Sequence, residues 1–65
     1  MTTYATPRRA RYTPVKGKLS YVVLAFRERR IFGRTEYEIR ADRMPRIWVT
    51  AGQDGQQLQF EEGEP

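Results

Sequence analysis

The clearest alternation of polar and apolar positions lies between Thr35 and Ala41. The odd-numbered positions of this segment hold Thr, Tyr, Ile and Ala, whereas the even-numbered positions hold Glu, Glu and Arg. Successive side chains of a β-strand point to opposite faces, so a period of two is typical of a strand with one buried face. The pattern therefore predicts a half-buried strand over residues 34–41.

The segment before it, from Leu19 to Phe26, is apolar at nearly every position. Its β-branched and aromatic residues favour a strand, and apolar residues on both faces are expected where a strand is covered on both sides, as in the middle of a small barrel. A helix from an N-cap at Ser20 to a C-terminal cap at Gly33 is the alternative. Residues 21–26 would be apolar around the whole helix, which does not suit so short a chain. We favour a strand over residues 19–29.

A four-residue loop at residues 30–33 would join these two strands as an antiparallel hairpin. The register that follows pairs three sets of apolar residues on one face: Phe26 with Tyr37, Leu24 with Ile39, and Val22 with Ala41. The same register places Arg27 opposite Glu36, which is favourable, and Arg29 opposite Arg34, which is not.

Three further strands are predicted, at residues 11–15, 46–51 and 57–61. The first is expected at a sheet edge, because Pro14 has no backbone N–H to donate. Asp54-Gly55 is a strong signal for a two-residue hairpin turn. Such a turn would pair Val49 with Phe60 and Ala51 with Leu58.

Together these segments predict an all-β fold, a small five-stranded antiparallel meander that closes into an SH3-like barrel. We expect a single domain over residues 10–61. Residues 1–9 are interpreted as a flexible basic arm and residues 62–65 as a disordered acidic tail.

Composition narrows the chemistry. The 65 residues include no cysteine and no histidine, so Ser-His or Cys-His catalysis and the usual zinc ligand sets are excluded. No glycine-rich phosphate loop is present. We therefore expect a protein that is not an enzyme and needs no cofactor or metal. The lack of cysteine fits a cytoplasmic location, and the longest apolar run, Tyr21 to Phe26, is too short to span a membrane.

Charge is distributed unevenly along the chain, whose net charge is +4. The first 20 residues carry five positive charges and no negative one, whereas the last 15 carry four negative charges and no positive one. Ten of the twelve basic residues are arginine, which binds phosphate in a bidentate manner and stacks on aromatic rings. Such a chain is expected to attract a polyanion or an acidic protein surface.

The leading hypothesis is a small nucleic-acid-binding module, DNA or RNA, that contacts mainly phosphates and is weakly sequence-selective. Arginines would contact phosphates and exposed rings would stack on bases. The candidate binding residues are Arg8, Arg9, Arg11, Tyr12, Arg29, Arg30, Ile31, Phe32, Arg34, Arg46 and Trp48. Trp48 has an alternative role as a core residue packed against Tyr21 and Val23.

A second hypothesis is a protein-interaction module, an accessory or inhibitor protein that docks through the Ile31-Phe32 tip of the hairpin. If the tip is exposed, an apolar pair surrounded by charge marks a contact site; if it folds back, it covers an open barrel end. Homo-oligomerisation through Tyr21, Val23 and Trp48 is a third possibility and is compatible with either function.

Overall fold

The computed structural model describes residues 1–15, 17–53 and 55–61. Within them the chain forms five antiparallel strands: β1 (Thr2–Thr13), β2 (Tyr21–Ile31), β3 (Arg34–Arg40), β4 (Ile47–Thr50) and β5 (Gln57–Phe60). They make one sheet that curls into a half-barrel. The all-β prediction is confirmed, and the segment that also suited a helix is strand β2. No helix long and apolar enough to cross a membrane occurs in the described part of the chain.

The order of strands across the sheet is β4-β3-β2-β1-β5. Strand β1 lies between β2 and β5, so the prediction of an edge strand at residues 11–15 was wrong. The expectation of a flexible arm over residues 1–9 also differs from the structure, in which Thr2 and Thr3 already pair with β2. The pairing shifts register between Thr3 and Arg8, and Pro7 lies in this irregular stretch, where a residue without an N–H is tolerated. The predicted acidic tail, residues 62–65, lies outside the described residues.

The β2–β3 hairpin has a tighter turn than expected. Its register pairs Ile31 with Arg34 and Arg29 with Glu36, so only Phe32 and Gly33 form the loop. Both have positive φ, 51° and 77°, as a type I′ turn requires. The predicted four-residue loop and its pairing of Phe26 with Tyr37, Leu24 with Ile39 and Val22 with Ala41 were therefore wrong.

Strand β5 does not pair with β4. Phe60 lies opposite Ala10 and Leu58 opposite Tyr12, both on β1, whereas Val49 of β4 pairs with Tyr37 of β3. The predicted β4–β5 hairpin was wrong, although Asp54 of its turn lies outside the described residues. Between the two strands, Gly52 N–H donates a hydrogen bond to the carbonyl oxygen of Gln56, and Gln56 N–H donates one to that of Gln53.

The core lies on the concave face of the sheet. Its buried residues come from four strands: Ala10, Tyr12, Val23, Ala25, Ile39 and Val49. Phe60 of β5 packs edge to face on Tyr37 of β3, with ring centroids 5.4 Å apart, so the two sides of the curled sheet meet through this pair. The prediction that Tyr37, Ile39 and Ala41 share one side of the segment 35–41 is confirmed, because Ile39 is in the core and Tyr37 and Ala41 pack against it.

Candidate nucleic-acid interface

The convex face of the sheet carries most of the arginines. Residues directly opposite each other on neighbouring strands share a face, so the pairing register and the side-chain contacts assign this face. Of the described residues it holds seven arginines and three glutamates: Arg9, Arg11, Arg27, Arg29, Arg34, Arg40 and Arg46, with Glu36, Glu38 and Glu61. The excess of positive charge is therefore concentrated on one side of the sheet.

In the middle of this face a set of alternating charges covers Trp48. Arg29 Nε donates a hydrogen bond to Glu36 Oε1 at 2.7 Å, and Arg27 Nε donates one to Glu38 Oε1 at 2.8 Å. The guanidinium carbons of Arg29 and Arg27 lie 3.8 and 5.2 Å from the centroid of the Trp48 ring. We call these five residues the tryptophan ladder.

Arg46 lies beside the tryptophan ladder and contacts one of its members, Glu38. Its guanidinium stacks over Phe26 at 4.0 Å from the ring centroid, and its Nη1 lies 3.8 Å from Glu38 Oε1. Glu38 is buried despite its position on the convex face, and it has arginine partners on two sides. Hydrogen-bonded arginine partners offset the hydration that a buried carboxylate loses.

The pKa of Glu36 is shifted by its own contacts. The hydrogen bond from Arg29 holds the pKa of Glu36 below its usual value, and Thr50 and Arg34 act in the same direction. Glu36 thus stays ionised and keeps Arg29 in place over the ring of Trp48. Of the predicted binding residues, Arg29 and Trp48 are therefore brought together, but in a contact that is already satisfied within the protein.

Sequence reasoning had placed Trp48 either in a core with Tyr21 and Val23 or in a binding surface. The core description does not fit, whereas the binding role stays a prediction. Val23 is buried on the concave face, whereas Trp48 is opposite Glu38 on the convex face and is half-buried beneath arginines. Tyr21, Val23 and Trp48 do not form one surface, so the proposed oligomer contact through these three residues was wrong.

The hairpin tip differs from the ladder. Arg30, Phe32 and Arg34 are all exposed, and Ile31 is half-buried. Phe32 is 93% exposed, so it does not cover the barrel end. Arg34 pairs with Ile31 on the convex side, whereas Arg30 pairs with Thr35 on the other side. The tip therefore presents one aromatic ring with an arginine on each face of the hairpin. Arg34 Nη1 also donates a 3.3 Å hydrogen bond to Gln53 Oε1.

The backbone at Phe32 is strained. A φ of 51° lies in the left-handed region, which costs a residue with a Cβ roughly 1 kcal/mol or more. Asn, Asp or Gly would be the usual choice at this position of a type I′ turn. Phe32 gains no burial in exchange, because its side chain is almost fully exposed. Strain of this kind, where packing does not require it, points to a role in function.

Besides Arg30, two predicted residues, Tyr12 and Arg8, lie on the concave side. Tyr12 is only 6% exposed, and its hydroxyl group contacts Gln56 Oε1 at 3.3 Å; burial raises its pKa. Stacking of Tyr12 on a base is therefore ruled out. Arg8 is half-buried, with its guanidinium 3.8 Å from the centroid of Phe60 and 5.0 Å from that of Tyr4.

Tyr4 completes this inner cluster. Its hydroxyl group donates a 2.6 Å hydrogen bond to Glu28. Burial raises the pKa of Tyr4 to about 12, the hydrogen bond to Glu28 adds to the shift, and Arg8 opposes it. The cluster attaches the N-terminal part of β1 to the rest of the sheet.

Arg9 and Arg11 are exposed on the convex side of β1, as expected of binding residues. Both lie near Glu61, at 3.9 and 3.8 Å. Exposed pairs at such distances contribute little and are weakened by salt, so both guanidinium groups are accessible to a stronger anion. Sequence reasoning missed Arg40, which is exposed on the same face opposite Leu24. The alternation of β3 already placed Arg40 on the polar side.

An apolar groove lies at the opposite end of β2 from the tip. Its walls include Tyr21, Ala41, Met44, Pro45 and Ile47.

Among the described residues, no group of three or more His, Cys, Asp or Glu side chains is arranged to hold a metal ion.

Comparison with known proteins gives no relative: the chain matches no protein-family model, no curated protein and no solved structure.

Proposed function

We propose that this protein is a small nucleic-acid-binding module that contacts phosphates with its convex face and hairpin tip and is only weakly sequence-selective. The observation that carries the proposal is the distribution of charge: seven arginines against three glutamates on one face of the described structure. A surface of this kind attracts the phosphate backbone of any sequence.

The contacts divide the arginines into two groups. Arg27 and Arg29 are held by Glu38 and Glu36 and stabilise the fold. Arg30, Arg34 and Arg40 have no carboxylate within ion-pair distance in the described part of the chain, and they are exposed. These three, with Arg9 and Arg11, are the proposed phosphate contacts, because their guanidinium groups can exchange water or a weak partner for a phosphate.

A salt titration tests the proposal. Affinity for short single- and double-stranded probes would be measured by fluorescence anisotropy at increasing salt. A logarithmic plot should be linear, with a slope of about −0.9 for each phosphate contacted on duplex DNA. Absence of binding to every probe at low salt would reject the function.

Protein interaction through the tip is the second candidate, and the 93% exposure of Phe32 favours it. An exposed aromatic residue with arginines beside it is a typical hot spot. Phe32→Ala separates the two functions. It should abolish capture of a protein partner, whereas it should weaken nucleic-acid binding only modestly, since arginines supply most of the affinity.

We also propose that the half-barrel is of the SH3-like kind. The order of strands supports this: four consecutive strands form a meander, and β5 returns to pair with β1 at the other side. Such a scaffold presents loops and hairpin tips from a rigid sheet, but it does not by itself indicate a ligand.

A further inference from the structure

We propose that Phe32 acts as a wedge that enters a base step of duplex DNA from the minor groove and kinks the duplex. This inference rests on the proposed function and specifies the ligand and the mode of contact. Apolar side chains that partially unstack a base step in this way bend DNA toward the major groove. The structure supplies the wedge, its rigid support and the flanking charges.

The first argument is that the tip has one accessible ring. Binding of single strands without sequence preference uses several rings that stack on successive bases. In the described structure most other rings are covered: Trp48 by Arg29, Phe60 by Arg8, and Phe26 by Arg46. Tyr21 is partly exposed, but it begins the strand that Ile31 ends, a distance of roughly 30 Å at 3.3 Å per residue. A lone ring suits insertion at one step better than stacking along a strand.

The second argument is the position of the charges. Arg30 and Arg34 lie on opposite faces of the ribbon, on either side of Phe32 along the chain. A ring that enters the minor groove has a phosphate backbone on each side of it, because the groove is only about 6 Å wide. One guanidinium can then contact each backbone while Phe32 points to the base pairs between them.

The third argument is rigidity. Insertion requires that the tip resist the cost of unstacking, which is a few kcal/mol for each step. Phe32 and Gly33 form a two-residue turn, the shortest common hairpin loop. The strands behind it are held by the ion pair of Arg29 with Glu36 and by the backbone pairing of β2 with β3. The turn also fixes Phe32 in a strained conformation that packing does not explain.

The experiment measures bending and affinity together. A short duplex that contains a flexible TA or CA step carries a donor and an acceptor dye at its ends, and 2-aminopurine in a second duplex reports unstacking. We expect binding to raise energy transfer and 2-aminopurine fluorescence. With Phe32→Asn both signals should be lost while affinity falls about threefold or less, because the inserted ring mainly offsets the cost of unstacking.

Two variants control the result. Phe32→Leu keeps an apolar wedge and should retain part of the bend. Leu19 lies just before β2 begins, at the end away from the tip, and its side chain is 89% exposed, similar to that of Phe32. The variant Leu19→Asn should therefore bend the duplex as the wild-type protein does.

Binding to the duplex without bending, or bending that Phe32→Asn retains, would overturn the wedge and leave the proposed function standing. Binding to single strands in preference to the duplex would also overturn it. If neither kind of probe binds at low salt, the proposed function itself fails.

Discussion

The tryptophan ladder and the hairpin tip both place arginines next to an aromatic ring, but the ring is covered in the ladder and exposed at the tip. In the ladder, Arg27 and Arg29 lie over Trp48 and each is bound to a glutamate. At the tip, Arg30 and Arg34 flank Phe32, and no carboxylate pairs with them among the described residues. Arginine next to an aromatic ring is thus a structural contact in one place and an open surface in the other.

The carboxylates make the difference. Glu36 and Glu38 hold the guanidinium groups of Arg29 and Arg27 by hydrogen bonds, and these groups lie over the ring of Trp48. No carboxylate anchors Arg30 and Arg34 in the described part of the chain, and both side chains are exposed, so a phosphate can reach them. Proximity of arginine and aromatic residues in a sequence is therefore insufficient to identify a binding surface.

The largest expected effect is on stability, from Trp48→Ala. Loss of a half-buried ring together with its arginine stacking should lower the free energy of unfolding by about 2 kcal/mol. Urea denaturation followed by circular dichroism measures it. Trp48→Phe, which keeps a ring beneath the arginines, should lose less than half as much. An unchanged midpoint for Trp48→Ala would show that the ladder does not stabilise the fold.

Next is the loss of affinity from Arg30→Ala combined with Arg34→Ala. Removal of two phosphate contacts should weaken binding about tenfold and reduce the salt slope by about 2. Anisotropy titrations at several salt concentrations measure both values.

The matched control for the tip is Lys18→Ala combined with Arg43→Asn. It removes two positive charges near the other end of β2, and asparagine tolerates the positive φ of 64° at Arg43. Equal losses of affinity in the two double variants would mean that only net charge matters, which contradicts a specific role for the tip.

Phe32→Asn should have a smaller effect, and it should raise the stability of the protein rather than lower it. Asparagine before Gly33 suits a type I′ turn, and almost no burial is lost, so the variant should be more stable by about 1 kcal/mol. The urea midpoint should rise without a change in the slope of unfolding. A lower midpoint would mean that the ring of Phe32 packs on the protein.

The smallest effect concerns pH and Glu36. Its pKa is lower in the folded protein than in the unfolded chain, so its contribution is present above the unfolded value and is lost as pH falls through the folded one. Stability of the wild-type protein should therefore fall more steeply below pH 4.5, the usual pKa of a glutamate, than that of Glu36→Gln. Parallel curves of thermal midpoint against pH would contradict this role.

Local patterns in the sequence located most strands but not all their partners. The alternation of β3 and the apolar run of β2 were sufficient to predict these two strands, because local hydrophobic patterns of this kind are typical of strands. The register of the hairpin was missed because Phe32 is an unusual residue for a left-handed position. A two-residue loop would nevertheless have paired both Arg29 with Glu36 and Arg27 with Glu38, and this charge pattern was readable in the sequence.

The candidate site was only partly predictable. The arginines of the tip were identified from the sequence and are exposed together. Tyr12 was misassigned because β1 was expected at an edge, whereas its pairing with both β2 and β5 buries the ring. The core role considered for Trp48 was wrong because the ring lies on the convex face, and its cover was missed because only the register brings the arginines of β2 over it.

The sequence by itself determined an all-strand chain with a basic surface, because strand propensity, alternation and charge are properties of neighbouring residues. The tertiary structure decided that β5 pairs with β1, that Trp48 is covered and that Phe32 is exposed. These outcomes depend on contacts between residues far apart in the chain, and the Asp54-Gly55 signal did not outweigh them. The physical reason is that a sheet edge can pair with any compatible strand, and the choice is made by the core that the whole sheet encloses.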